Sequence, residues 1–379
     1  MILINSLGIQ DSGGITVLEK LLQELKSDAN KRYLIVCNDN LHMNTLVQKY
    51  KNIEIFDFRV LKNRGFLHRI YYENIVFRKI IQEKRIRLIY NFSGSAQFFL
   101  KIPQITKVHN LLFYSKKTDA VYFQKKEYLL WLKQIFLKRV VFHSMLRQTR
   151  YVEIQSAHVQ KYISDFIDTQ SKVFFIKSDI DIQNESFSKP KEYDFTKRIK
   201  FLYIVGPHFE YLHKNFTDFT HAMQILQKQN MDFEIVITLT KEQLHNSKLW
   251  DKGLDKQTNF LGYVDTVKNL FTENTVLIST SVIETLGLHV VEAIQNAILA
   301  ISPNEYYAKN VYGEDLFTYE LFDSNSLVAT INDMILLAHN EIKDTISRNQ
   351  KYLIDNENTK YKTITHLFDK VLKEEYVQK

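Results

Sequence analysis

The chain contains one cysteine, Cys37, with only four prolines and ten glycines in 379 residues. A single thiol at the end of an apparent strand excludes a disulfide framework and fits a reducing compartment. Nowhere do about 18 apolar residues follow one another, so no membrane-spanning helix is expected. The opening MILINSLGIQ lacks a basic stretch and reaches Asn5 after three further apolar residues, so it is not read as a signal peptide, and a cytoplasmic location is expected. No Gly-x-Gly-x-x-Gly follows the first strand, which removes the main support for a nicotinamide or flavin cofactor. His208 and His213 have no cysteine or carboxylate companions at a metal-ligand spacing, so no zinc site is read. None of the recognised nucleic-acid modules occurs, and nucleic acid is not an expected partner.

What is present is a chain long enough for two domains with separate cores, rich in phenylalanine and tyrosine. Its charge is unevenly divided. Residues 1–170 hold 27 Lys and Arg against 14 Asp and Glu, a balance of +13, while the remainder holds 23 against 29, a balance of −6. The basic first half points to an anionic partner, such as anionic lipid or a phosphate-bearing acceptor, or else to a solvated surface that aids solubility.

Apolar runs at Met1–Ser6, Arg32–Cys37, Ile53–Phe58, Ile86–Phe92 and Gln104–His109 read as strands. Helical patterns lie between them, through Lys26, at Leu41–Lys51 and at Phe66–Lys84. Such alternation predicts an α/β domain with a doubly wound parallel sheet and ligands at the C-terminal strand ends. Ser12-Gly13-Gly14 ends the first loop, where paired glycines let a ligand approach the backbone. His109 and Asn110 fall at another strand end. Tyr122–Gln148 reads as one long helix in which aromatic and aliphatic residues interleave with Lys125, Lys126, Lys133, Lys138 and Arg139. Together with Arg59, Lys62, Arg64 and Arg69 it would form a basic, aromatic surface suited to an anionic membrane, although core packing accounts for the apolar face equally well. Tyr151–Gln155 reads as the last strand of the domain. The polar stretch 176–200 suits a linker. Asp179 and Asp181 have the Asp-x-Asp spacing of some metal sites, but they precede the linker and are read as a chance pair.

A second strand-helix series starts at Phe201–Val205 and continues through Phe233–Leu239, Asn259–Val264, Thr275–Thr280 and Ala297–Ser302. Lys214-Asn215 lies between a strand-end loop and a helix, where an ammonium suits phosphate. The central stretch is STSVIETLGLHVVEAIQN, Ser279–Asn296. Glu284 sits in its loop, a helix begins near Gly287, and Glu292 lies on that helix's second turn. The amides of Thr285 to Leu288 form an anion site at the positive end of the helix dipole.

Glu284 and Glu292 with Gly287-Leu288 between them and Ala293 behind, preceded by His-Lys-Asn at 213–215, resemble the signature of retaining GT-B glycosyltransferases of family 4. The resemblance implies two Rossmann-like domains facing across a cleft. Residues 1–175, joined by the C-terminal helix 359–379, would bind the acceptor, with 176–200 as linker and 201–358 as the nucleotide-sugar domain. It implies a sugar transferred from a nucleoside diphosphate sugar to a glycan or lipid-linked acceptor in cell-surface polysaccharide synthesis, with no cofactor and no metal. Gly13, Gly14, Lys214, Gly262, Tyr263, Thr285, Leu286, Gly287, Leu288 and Glu292 would bind the donor, while His109 and Glu284 would act on the sugar. The chain departs from the family in having Leu286 where an aromatic is usual and His289 where proline is usual, and it has no arginine ahead of Lys214. A GT-B epimerase or a non-catalytic binding protein is the alternative.

Overall fold

The computed structural model describes residues 1–9, 12–28, 30–62, 65–179, 187–264, 266–356 and 363–376. The chain divides into two units, one of Met1–Tyr114, Leu129–Asp179 and Asn358–Lys379, the other of Ser115–Tyr128 and Ile180–Glu357.

The first unit holds β1 (Ile2–Ser6), β2 (Tyr33–Asn38), β3 (Phe56–Leu61), β4 (Leu88–Asn91), β5 (Gln104–Val108), β6 (Tyr151–Ile154) and β7 (Val173–Ile176). They form one parallel sheet in the order β3-β2-β1-β4-β5-β6-β7. Both faces are covered, and successive residues therefore serve two different cores. Ile2 and Ile4 of β1 join Leu18, Leu22, Tyr33 and Ile35, whereas Leu3 joins Leu34, Val36, Phe77 and Ile89. The helix Ile364–Tyr376 adds Leu367, Phe368 and Val371 to the first of these cores. The C-terminal helix is thus part of the N-terminal unit.

The second unit holds β8 (Ile199–Tyr203), β9 (Phe233–Ile237), β10 (Thr258–Phe260), β11 (Thr275–Ile278), β12 (Leu299–Pro303) and β13 (Phe317–Tyr319). They are parallel in the order β10-β9-β8-β11-β12-β13. The same alternation operates: Phe201 and Tyr203 face one core, Leu202 the other. In each sheet the strand order reverses once, between β1 and β4 and between β8 and β11. Loops diverge at such switch points and leave a crevice at the C-terminal strand ends.

Several elements differ from the sequence reading. The strand expected at Ile53–Phe58 lies at Phe56–Leu61, because Ile53 is in a turn, its carbonyl accepting from the Phe56 amide at 2.9 Å, while its side chain still packs on the core. The helix read over Tyr122–Gln148 is two: one ends at Gln124, Lys126 adopts a left-handed φ of 58°, and the next begins at Tyr128. β6 is not the last strand of its sheet, since Val173–Ile176 pairs beyond it. The stretch 176–200 is not simply a linker. Tyr193 is buried in the second unit's core, its hydroxyl donating to the Thr275 carbonyl at 2.8 Å. Residues 180–186, including Asp181, lie outside the described residues, as does Arg64.

Candidate active site

In the second unit the loops after β8 and β11 are tied together at the switch point. The turn Leu212–Lys214 precedes Asn215, whose left-handed φ of 46° starts the helix Phe216–Lys228. Its carbonyls hold the facing loop: the Val282 amide donates to the His213 carbonyl at 2.8 Å, and the Thr280 hydroxyl donates to the Lys214 carbonyl at 2.8 Å. Tyr203, at the end of β8, places its hydroxyl 2.7 Å from Thr280 Oγ1, and Tyr307 donates to the Ser281 carbonyl at 2.6 Å. Loop geometry here is fixed by buried hydroxyls, so the side chains it carries are held in advance of any ligand.

The central contact is an ion pair. Lys214 Nζ lies 2.8 Å from Glu284 Oε1 and 3.4 Å from Ser281 Oγ. Burial alone would raise the Glu284 pKa, but the Lys214 ammonium, the nearby His289 and the hydrogen bonds from Lys214 and Ser281 bring it down to about 2. Glu284 is therefore a carboxylate at any ordinary pH and cannot serve as a proton donor. His289, whose Nε2 is 3.0 Å from Ser279 Oγ, has its pKa lowered to about 4, mainly by burial and against the pull of Glu284. His213 is buried with Nδ1 lacking a hydrogen-bond partner, and burial followed by the Lys214 charge lowers its pKa to about 3. Both imidazoles are neutral near pH 7. The formal charge of the cluster is one cation and one anion.

The helix Leu288–Gln295 starts from Gly287 in the left-handed region, φ 57° and ψ 60°. Glycine adopts this conformation without the steric cost of a Cβ. The first N–H groups of the helix have no intrahelical acceptor and carry the positive end of its dipole. The structure places Thr285, Gly287 and Leu288 at this end, while the Leu286 side chain is in the core, so only its backbone can meet a ligand. Glu292 is on the second turn, half-buried. Gly262, φ 68°, and the largely exposed Tyr263 follow β10, with the Gly262 amide donating to the Leu239 carbonyl at 3.2 Å.

Gly13 and Gly14 are in the first turn of the helix Ser12–Lys26, not in the loop before it. His109 follows β5 and lines a pocket of about 350 Å³ in the first unit together with Gly8, Arg69, Gly94, Asn110 and Lys138. Asp179 is committed elsewhere: it is buried and pairs with Lys107 at 2.5 Å. Among the described residues, no three His, Cys, Asp or Glu side chains converge as a metal site. None of the described helices is long and apolar enough to cross a membrane.

The sequence reading did not foresee the roles of Tyr203, Thr280, Ser281 and Tyr307. Each is a common residue at a strand end or in a helix, and only the fold shows which carbonyl it reaches. Nor did it foresee that Lys214 and Glu284 pair with each other.

Residues 188–359 match the family described as glycosyl transferases group 1. No characterised protein matches by sequence. Solved structures share the fold. Sucrose-phosphate synthase from Thermosynechococcus elongatus superposes with a TM-score of 0.67 at 13% identity, covering 100% of this chain and 99% of its own. HepE from Anabaena, solved with UDP and glucose, gives 0.62 at 15% identity over 98% and 99%. A TarM variant from S. aureus, solved with fondaparinux, α-GlcNAc-glycerol and UDP, gives 0.60 at 11% identity over 100% and 99%. The chain has the GT-B fold, and the family match together with that fold supports a glycosyltransferase.

Proposed function

We propose that the protein is a retaining glycosyltransferase that moves a sugar from a nucleoside diphosphate sugar to a glycan or lipid-linked acceptor in cell-surface polysaccharide synthesis. The observation that carries this reading is the Lys214–Glu284 pair beside the N-terminus of the helix Leu288–Gln295. It combines a cation and the N-terminal amides of a helix, which suit a departing diphosphate, with an ionised carboxylate, which suits a sugar that gains positive charge.

An ammonium has three donors. In the free protein Glu284 takes one and Ser281 lies at the edge of hydrogen-bond distance, so at least one is available to a phosphate oxygen. As the bond from the anomeric carbon to the phosphate oxygen breaks, negative charge develops on that oxygen, and Lys214 with the helix N–H groups stabilises it. The acceptor oxygen bonds to the anomeric carbon from the same face and passes its proton to the departing phosphate oxygen. Glu284 stabilises the oxocarbenium-like sugar as an anion, without a covalent intermediate. Glu292 holds the ribose hydroxyls, and the Gly262-Tyr263 turn supports the base. His109, with the glycine pair Gly13-Gly14, orients the sugar from the first unit. No metal is required in this scheme, and no cofactor enters it.

Calorimetric titration with UDP, GDP and ADP, on wild type and on Glu292→Ala, tests the reading. One nucleotide is expected to bind without added metal and to lose at least about tenfold in affinity in the variant, the worth of a hydrogen bond to a hydroxyl pair. Absence of binding by all three, or equal binding by the variant, overturns it. Turnover of the nucleotide sugar in the absence of any acceptor would instead identify an epimerase on the same fold.

A further inference from the structure

The pocket in the first unit adjoins His109, to which the proposed function gives the sugar, and it holds two cations of its own. Gly8 follows β1 and Ser93-Gly94 follows β4, so the pocket opens at the switch point of that sheet. Arg69 enters from the helical segment Phe66–Tyr71. Its Nε donates to Glu73 at 2.9 Å, and its Nη2 donates to the Ser93 carbonyl, to Ser93 Oγ and to Ser95 Oγ at 2.9, 3.1 and 2.8 Å. Nη1 is left over against Gly8, where an added Cβ would stand only 2.1 Å away. A glycine at position 8 is what leaves the guanidinium room to face the pocket.

Lys138, on the helix Leu137–Arg147, is the second cation of the pocket. No carboxylate among the described residues pairs with it, and burial, then the charge of Lys133, lowers its pKa. A half-buried ammonium without a counter-ion costs free energy that an arriving anion recovers. Phe66, Phe113 and Phe142 wall the space, with ring centroids of Phe66 and Phe142 5.7 Å apart and those of Phe113 and Phe142 5.0 Å apart.

The helices that supply these two cations also carry apolar side chains that nothing in the unit covers. Leu67 and Tyr71 lie on the first and Ile75 on the π-helical turn Tyr72–Val76 that continues it, at four-residue intervals; Leu137 and Val140 lie on the second and Leu129 on the turn Tyr128–Trp131 ahead of it; Leu67 is 80% and Leu129 83% exposed. Four-residue spacing puts the first three on one helix face. Exposed large aliphatic residues grouped in this way mark an interaction surface. Their adjacency to an uncompensated cation favours one kind of occupant, an amphiphile with an anionic head and an apolar tail.

We propose that the pocket lined by Arg69 and Lys138 binds the phosphate of a lipid-linked acceptor, with its hydrocarbon chain lying along the exposed faces of the two helices. This rests on the reading of the first unit as the acceptor side of a glycosyltransferase, and it specifies the acceptor class. The test is calorimetry of the full chain with three probes: farnesyl phosphate, farnesol, and glucose 1-phosphate. Farnesyl phosphate is expected to bind most tightly. Lys138→Gln should weaken it about tenfold, and Leu67→Ser with Leu137→Ser should weaken it several-fold, while Lys214→Gln leaves it unchanged and reduces UDP binding. Equal affinity for farnesol would overturn the phosphate site. Equal affinity for glucose 1-phosphate, with no effect of the two serines, would overturn the lipid and leave a soluble phosphorylated acceptor. An unchanged affinity in Lys138→Gln overturns the site altogether. UDP binding is read separately on wild type, so failure of the donor reading and failure of this one are distinguishable.

Discussion

Gly287 and Tyr312 occupy each other's space: a Cβ on Gly287 would lie 1.9 Å from the Tyr312 hydroxyl oxygen. Tyr312 is fully buried on the helix Tyr306–Tyr312, and its hydroxyl has no hydrogen-bond partner. The start of the helix Leu288–Gln295 is thereby pressed against a rigid ring, which sets where its first N–H groups point.

Gly287→Ala is expected to destabilise the second unit by roughly 2–5 kcal/mol, the sum of about 1–2 for a left-handed alanine and about 1–3 for overpacking. Urea denaturation measures it. Tyr312→Phe removes the clashing oxygen and a buried unpaired hydroxyl, so by itself it should be neutral or slightly stabilising, and it should recover part of the loss when combined with Gly287→Ala. A substitution to alanine that costs under about 0.5 kcal/mol would mean the helix start is free to move.

Lys214→Met leaves Glu284 largely buried without its cation. Stability should fall by about 3–5 kcal/mol, and catalytic efficiency by at least about a hundredfold if the same ammonium stabilises the leaving group. Lys214→Met with Glu284→Gln should regain most of the stability and none of the activity. Urea denaturation read beside turnover separates the two roles. Recovery of turnover in the double variant would assign Lys214 a structural role alone.

Acid lability follows from the same cluster. The His289 and His213 pKa values lie below the ordinary 6.5, at about 4 and about 3, so the unfolded chain binds these protons first as the pH falls. Stability conferred by the neutral imidazoles is complete above pH 6.5 and is lost between 6.5 and the folded values. Glu284, lowered from 4.5 to about 2, contributes stability above pH 4.5 that is lost on the way to pH 2. Unfolding free energy measured in urea should therefore drop between pH 7 and pH 4, by about 1.4 kcal/mol per pH unit for each histidine that only the unfolded chain protonates. His213→Asn and His289→Asn should each flatten that slope. An unchanged slope in both would place the acid-sensitive groups elsewhere.

The sequence made the parallel sheets legible because their strands are buried on both faces and read as near-continuous apolar runs, as ILINS at β1 and YLIVCN at β2 show. Short edge strands were not legible in this way. Phe317–Tyr319 is three residues long and only its last is buried, so it has no pattern to detect. Lys126 broke an apparently continuous helix through a left-handed conformation that its residue type does not announce. In the site, because two glutamates at this spacing are common by chance, Glu284, Lys214 and Gly287 are picked out by the family resemblance. Their pairing and the carbonyls that hold the loop depend on contacts 66 to 77 residues apart, which no local pattern encodes.

Asp179 shows how a motif is decided by its surroundings. Lys107, on β5, is buried between two carboxylates, with Glu153 at 2.8 Å and Asp179 at 2.5 Å, and Tyr90 donates to the other oxygen of Glu153 at 2.7 Å. Burial would lower the lysine pKa, but the two anions raise it, and Lys107 in turn lowers that of Asp179 against the effect of burial. With its oxygens held by Lys107 and Gln155, Asp179 would have to give up these contacts to bind a divalent ion. Lys107→Met should cost about 3–5 kcal/mol, since it leaves two buried carboxylates facing each other. Replacing Lys107, Glu153 and Asp179 together by apolar residues of similar volume should be close to neutral. Added magnesium should leave the thermal midpoint of wild type unchanged. A magnesium-dependent rise that disappears in Asp179→Asn would show instead that Asp179 leaves its lysine to bind metal, and the pairing with Lys107 would then be a resting state.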